Sequence, residues 1–176
     1  MSKRRGDFVT LDALVGRIGV DATRFLMLQR SHDTTVDLDL DLAVSQSSQN
    51  PVYYVQYAHA RIASILAKAG EERVARAVDE AGSLTVTLEP SERTLIKKLL
   101  AFGEEVEEAA ARRAPHRITA YVLELAQTFT AFYRDCQVLG AEGEGVESFR
   151  LALGFAAQRT IARSLHLLGV SAPQAM

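Results

Sequence analysis

Apolar residues recur at helical spacing through most of the chain after residue 50. Asparagine caps exposed backbone amides, and proline at the first helical position loses no hydrogen bond, so Asn50-Pro51 predicts a helix start. Gly70 predicts the end of this helix. The same spacing predicts two more long helices, over residues 116–136 and 146–168. The apolar positions are Val55, Ala58, Ile62, Ile65, Leu66 and Ala69 in the first helix; Ile118, Val122, Leu125, Phe129, Phe132 and Cys136 in the second; and Phe149, Leu153, Ala156, Ile161, Leu165 and Leu168 in the third.

Shorter helices are predicted between the long ones, over residues 73–81, 91–102 and 104–113. Pro115 forces a new start after the last of these. The loop at 140–145 is rich in glycine and glutamate and lacks the lysine of a phosphate-binding loop. Amphipathic helices with short connections predict an all-α helical bundle.

The first 41 residues have a mixed pattern. Thr10 predicts the cap of a short helix over residues 11–18 that Gly19 ends, and Asp21 predicts the cap of a second helix. Residues 35–42 alternate apolar and acidic side chains, which predicts a half-buried extended segment. An EF-hand calcium loop that starts at Asp37 does not fit. Such a loop needs glycine at its sixth position and glutamate at its twelfth, where this chain has Leu42 and Ser48.

Composition indicates one ordinary domain with a small appendage. The 176 residues are 48% hydrophobic and 24% charged, with a formal net charge of −2. No apolar run approaches the roughly 20 residues of a membrane span, so we expect a cytosolic protein. A single cysteine, Cys136, excludes an intrachain disulfide and a cysteine-based zinc site. No nucleophile and base stand at a recognisable catalytic spacing.

Aromatic and cationic residues provide the candidate binding site. Tyr54, Tyr57 and Arg61 stand at i, i+3 and i+7, on a helix face roughly opposite the buried one. Exposed tyrosines beside an arginine suit unstacked RNA bases, although a second packed face with Arg61 in an ion pair has the same pattern. Tyr133 lies one residue off the core line of its helix. Two cationic groups suit either phosphate binding or a solvated surface: Arg112, Arg113, His116 and Arg117, and Arg159, Arg163 and His166.

Several segments resemble one family in a collinear order. The run N-P-V-Y-Y-V-Q-Y-A-H-A-R-I at 50–62 resembles the opening of the anticodon-binding domain of arginyl-tRNA synthetases, which are class I enzymes. Residues 1–4 resemble the end of their KMSKS-type loop, and residues 19–25 and 38–43 resemble their stem-contact region. Residues 132–138 and 167–176 resemble their last helices and terminus. The resemblance therefore extends over nearly the whole chain.

The resemblance implies a division of the chain and a set of contacts. Residues 1–41 would hold the loop end and the stem-contact region, and residues 42–176 the helical anticodon-binding domain. Family members place residues like Tyr54, Arg61, Tyr133 and the C-terminal Met176 on splayed anticodon bases, and Tyr57 is added here from its helical face. Lys3 would match the loop lysine that stabilises ATP phosphates.

The resemblance also implies a larger enzyme. Full-length family members bind ATP with Mg²⁺, arginine and tRNA, and their catalytic domain attaches arginine to its tRNA. We expect this chain to be a C-terminal fragment with no catalytic residue, cofactor or metal of its own, and to be inactive alone. Its expected partners are the tRNA for arginine and the catalytic domain of the same enzyme, with no membrane and no DNA. The alternatives are a helical protein-interaction module without RNA binding and an autonomous enzyme.

Overall fold

The computed structural model describes residues 9–176, so Lys3 lies outside the described residues. Within residues 9–176 the chain forms nine α-helices and no β-strand, which confirms the all-α prediction. None of the helices in this part combines the length and hydropathy that a membrane crossing requires. The helices are α1 (Leu11–Ile18), α2 (Val20–Leu28), α3 (Leu40–Val44), α4 (Pro51–Ala69), α5 (Glu71–Glu80), α6 (Pro90–Leu100), α7 (Phe102–Ala111), α8 (His116–Asp135) and α9 (Val146–Leu168).

The three longest helices, α4, α8 and α9, pack against one another and form the centre of the bundle. Helix α5 packs on α9, α6 and α7 pack on α8, and α2 contacts all three central helices. Full burial of each large apolar side chain stabilises the fold by about 1.5–3 kcal/mol. The largest fully buried apolar side chains include Phe25, Ile62, Leu95, Leu125, Phe129, Phe132, Leu151, Ile161 and Leu165.

Helix α4 begins and ends where its sequence predicts. Asn50 Oδ1 accepts hydrogen bonds from the amides of Val52 and Tyr53, at 3.1 and 3.4 Å. Its Nδ2 donates to the carbonyls of Ala43 and Ser45, at 3.0 and 2.9 Å, which fixes the preceding loop. Gly70, at φ +88°, ends the helix.

The end of α9 reverses the chain. Gly169 adopts the left-handed conformation at φ +67° and ψ +34°, and the amide of Val170 donates to the carbonyl of Leu165 at 2.9 Å. This bond pattern is that of a Schellman C-cap, in which a buried apolar residue follows the glycine. Val170 is buried accordingly. Residues 171–176 then run back along the bundle without regular secondary structure.

A buried ion pair joins the start of α6 to the start of α9. Glu92 Oε1 accepts from Arg150 Nε at 2.6 Å, and Arg150 Nη1 donates to the carbonyl of Gln137, just beyond α8, at 2.9 Å. The other Glu92 oxygen accepts from the amide of Glu89 at 2.7 Å and completes a capping box. The pair thus holds three helices together where α8 ends.

The extended-segment prediction for residues 35–42 is wrong in part. Asp37, Asp39 and Asp41 are exposed and the leucines between them half-buried, as the alternation predicts. However, α3 begins at Leu40, because Asp39 Oδ1 accepts from the amides of Asp41 and Leu42 and caps a helix. A local side-chain cap therefore replaces the extended conformation where no neighbouring strand offers backbone partners.

Two other sequence predictions are corrected. Asp21 does not cap the second helix, which begins at Val20 with Gly19 at the cap position. The Asp21 carboxylate instead bonds to the chain beyond α9. Ala156 is exposed rather than buried, because the packed face of α9 passes through Leu153 and Ala157.

Candidate nucleic-acid interface

A tyrosine and an arginine one turn apart on α4 form the centre of the candidate site. Arg61 Nη2 donates to the Tyr57 hydroxyl at 2.9 Å, and its Cζ lies 4.9 Å from the centroid of the Tyr57 ring. The i, i+4 spacing on one helix face produces this contact. Tyr57 remains 38% exposed, so one side of the pair is open to solvent.

Helix α8 brings Tyr133 close to Arg61. The Arg61 Cζ lies 5.3 Å from the centroid of the Tyr133 ring. That ring also stacks on the buried Phe129, with centroids 6.2 Å apart and planes 18° apart. Tyr133 is 39% exposed, which confirms that it lies between the core and the surface. The guanidinium therefore lies within cation–π distance of two tyrosine rings.

Residues 174–176 complete a pocket of about 340 Å³ around these side chains. Met176, 56% exposed, is one of its lining residues. The structure thus brings together four of the five side chains that the sequence analysis proposed for RNA binding. The lining residues are Tyr57, Ala60, Arg61, Ser64, Ile65, Lys68, Tyr133, Gln174, Ala175 and Met176.

Tyr54 is the fifth proposed residue, and the prediction that it is exposed beside Tyr57 is wrong. It is half-buried and packs against the core. Its hydroxyl donates to Thr130 Oγ1 of α8 at 3.2 Å, and it does not line the pocket. The i, i+3, i+7 stripe runs along the boundary between α4 and α8, so its first member faces the neighbouring helix.

Lys68 was missed by the sequence analysis, although its spacing could have found it. Positions 57, 61, 64 and 68 follow i, i+4, i+7 and i+11, which is one face of α4. Lys68 adds a second cation to the pocket, and none of the side chains lining the pocket is acidic. The nearby Arg134 bonds to Asp135, and this bond lowers the pKa of the Asp135 carboxyl. The pocket thus favours an anionic or electron-rich ligand.

Two members of the cationic group around Pro115 are paired with carboxylates. Arg112 pairs with Glu108 at 2.7 Å and Arg117 with Glu105 at 2.9 Å. Burial, with a smaller contribution from Glu105, raises the pKa of the adjacent Tyr121, whose hydroxyl donates to the Lys98 carbonyl. These contacts favour a structural role for this group.

The second cationic group, Arg159, Arg163 and His166, lies exposed on α9. The Arg159 Cζ lies 5.6 Å from the centroid of the Phe155 ring. Neither cationic group lines the pocket at Arg61. Among residues 9–176, no three histidine, cysteine, aspartate or glutamate side chains lie close enough together to hold a metal ion.

Comparison with known proteins identifies the family of this chain. Residues 55–176 match the family model described as the DALR anticodon binding domain. The chain belongs to the DALR anticodon-binding domain family. In this anticodon-binding domain, the tyrosine and arginine pocket lies within the matched residues. The match supports tRNA recognition rather than the protein-interaction alternative.

Similar proteins carry one consistent name. The chain is 48% identical to arginine–tRNA ligase 1 of Halalkalibacterium halodurans, over 100% of this chain and 31% of that protein. The structure of Thermus thermophilus arginyl-tRNA synthetase matches with a TM-score of 0.72 and 33% identity, over 99% of this chain and 29% of that one. A Campylobacter jejuni protein assigned as an arginyl-tRNA synthetase matches with a TM-score of 0.85 and 30% identity, over 99% of this chain and 37% of that one. The chain therefore spans about a third of the length of these relatives.

Proposed function

We propose that this chain binds the anticodon loop of a tRNA for arginine, as one part of an arginine–tRNA ligase. The observation that carries the proposal is the pocket in which Arg61 lies against both Tyr57 and Tyr133. This pocket lies in an anticodon-binding domain, and the curated relative quoted above, which matches over the full length of this chain, is an arginine–tRNA ligase.

The side chains suit unstacked bases of a single-stranded loop. Tyrosine rings offer flat surfaces on which bases stack, and a guanidinium can stack or donate hydrogen bonds to base edges. One Arg61 nitrogen already donates to Tyr57, which leaves its other N–H groups for a ligand. Lys68 is placed to contact a phosphate, and such contacts orient nucleic acid without reading its sequence.

The rest of the reaction belongs to a longer protein. ATP with Mg²⁺ and arginine would be bound by a catalytic domain of the same enzyme, with Lys3 in a loop that contacts the ATP phosphates. Residues 1–41 would connect that domain to the anticodon-binding domain at residues 42–176. The enzyme would act in the cytoplasm, where tRNA is aminoacylated.

Binding of an RNA hairpin with the anticodon stem and loop of a tRNA for arginine tests this proposal. Arg61→Ala should weaken binding by about 1–3 kcal/mol, the size of a good base contact. Arg93→Ala is the matched control, because Arg93 is an exposed arginine on α6 that does not line the pocket. Equal binding by Arg61→Ala and the parent chain, or an equal loss in Arg93→Ala, would show that the site is assigned wrongly.

Salt dependence tests the same proposal against a protein-binding role. An RNA complex should weaken steeply with rising salt because counterions are released from the phosphates. An apolar protein contact lacks that dependence. Hairpin affinity that does not change with salt would therefore contradict anticodon-loop binding.

A further inference from the structure

The segment after α9 forms one wall of the pocket although it has no regular secondary structure. It leaves α9 through the turn at Gly169 and Val170 and passes along α4. Gln174, Ala175 and Met176 then line the pocket that contains Arg61. The position of this wall must be fixed by contacts outside the segment itself.

Asp21 and Gln56 hold the segment at Ser171. Asp21 Oδ1 accepts from the Ser171 amide at 3.1 Å, and its other oxygen accepts from the Ser171 hydroxyl. Gln56 Nε2 donates to the Ser171 carbonyl at 3.0 Å and to Asp21 Oδ2 at 2.8 Å. Both backbone polar groups of Ser171 are thereby satisfied by side chains of α2 and α4.

His59 holds the segment at Pro173. Its Nδ1 lies 2.8 Å from the Pro173 carbonyl oxygen, and the residue is only 1% exposed. A carbonyl oxygen only accepts, so Nδ1 carries the proton in this contact. A buried histidine is costly unless its ring nitrogens are bonded, so this bond fixes the segment close to α4.

We propose that Asp21, Gln56 and His59, here called the tail clasp, are positioning residues for RNA binding. The clasp acts through residues 174–176, which it holds against Tyr57, Arg61 and Tyr133. Helix α4 supplies two members of each set, since Gln56 and His59 alternate along it with Tyr57 and Arg61. The proposal rests on the function proposed above, because it assigns a role within the same pocket.

The physical reason is the entropy of an unanchored segment. Fixing the backbone of each residue costs about 1–2 kcal/mol, so residues 171–176 would sample many conformations without the clasp. An RNA ligand would then have to order the wall as it binds. The apparent affinity is proportional to the fraction of molecules that already have the wall in place, so it falls when that fraction falls.

Hairpin binding by variants of the full chain tests the proposal. Asp21→Ala and His59→Ala should each weaken binding by about tenfold, which corresponds to a wall that is in place in about a tenth of molecules. His59→Asn should bind the hairpin nearly as tightly as the parent chain. Its amide nitrogen lies near the position of His59 Nδ1 and can donate to the Pro173 carbonyl. Asp12→Ala and His32→Ala are the matched controls, since both residues are exposed and lie outside the clasp.

A variant lacking residues 174–176 separates positioning from general stability. If the clasp acts through these residues, adding Asp21→Ala or His59→Ala to the deletion should weaken binding no further. Undiminished effects in the deletion background would overturn the proposal. Equal hairpin binding by the parent chain and both alanine variants would overturn it as well, while leaving the proposed function intact.

Methionine methyl NMR gives a readout that needs no RNA. Met176 shares its pocket with two tyrosine rings, whose ring currents should shift its methyl signal, whereas Met27 lies outside the pocket. The Met176 signal should move to its random-coil position in Asp21→Ala and His59→Ala and return in His59→Asn. An unmoved Met176 signal would overturn the proposal whatever the RNA result. Failure of the parent chain to bind the hairpin would instead refute the proposed function, and the role of the clasp in RNA binding with it.

Discussion

Removal of the Glu92 carboxylate should destabilise the whole bundle. Glu92 is 1% exposed and bonds at once to Arg150 and to the Glu89 amide. In Glu92→Ala the Arg150 guanidinium, whose side chain is 13% exposed, would lose its carboxylate partner. Arg150 would keep only its bond to the Gln137 carbonyl.

The size of this effect follows from burial. Breaking a buried ion pair by removing one partner costs about 3–5 kcal/mol. The slight exposure of Arg150 lets water reach part of its guanidinium, which favours the lower end of that range. A loss of about 3 kcal/mol in a domain of this length corresponds to a fall in Tm of about 6–12 °C.

Urea unfolding followed by circular dichroism measures this loss directly. Arg112→Ala is the control, because Arg112 pairs with Glu108 on the surface of α7 and such pairs contribute about 0.2–1 kcal/mol. The double variant Glu92→Ala with Arg150→Ala should lose less stability than the sum of the two single variants, since each single variant strands the other group. A loss below about 1 kcal/mol in Glu92→Ala would refute the reasoning, because it would place the pair among solvent-screened surface pairs.

Other variants test single features of the fold and site. Gly169→Ala should destabilise by about 1–2 kcal/mol, because an L-residue is strained in the left-handed conformation, and its Cβ would also meet Arg24 Nη1 at 2.5 Å. Gly154→Ala, on the same helix with open space at the Cβ position, should instead stabilise by up to about 1 kcal/mol in the same unfolding assay. Tyr54→Phe should lose about 1 kcal/mol of stability with the bond to Thr130 and leave hairpin affinity unchanged, contrary to a base-contacting role. The purified chain should show no arginine-dependent exchange between ATP and pyrophosphate, and clear exchange would indicate an autonomous enzyme.

The sequence predicts helix ends well where one residue determines them. Asn50-Pro51 starts α4, and Gly19, Gly70 and Gly169 follow α1, α4 and α9, as their conformational preferences indicate. The alternation of apolar and acidic residues over 35–42 wrongly predicts an extended conformation for the whole segment. Burial of every second side chain also occurs here, where the segment pairs with no strand among residues 9–176. The cap at Asp39 depends on local hydrogen bonds that compete with the extended conformation.

The pocket could be predicted only in part. Tyr57 and Arg61 meet within one helix, so their spacing suffices. Tyr133 could be placed near the surface, but its contact with Arg61 depends on how α8 packs against α4. Asp21 bonds to Ser171, 150 positions away, and helical or strand periodicity carries no signal for such a contact.

The placement of the tyrosines makes the chain its own optical probe. It contains no tryptophan and five tyrosines, so its near-ultraviolet emission comes from tyrosine alone. Two of the five, Tyr57 and Tyr133, line the pocket, and Tyr53 stacks on Tyr57. Tyr121 lies in the core and Tyr54 packs against it. A nucleobase that stacks on Tyr57 or Tyr133 would quench the emission of that ring, so the unlabelled protein reports occupancy of the proposed interface.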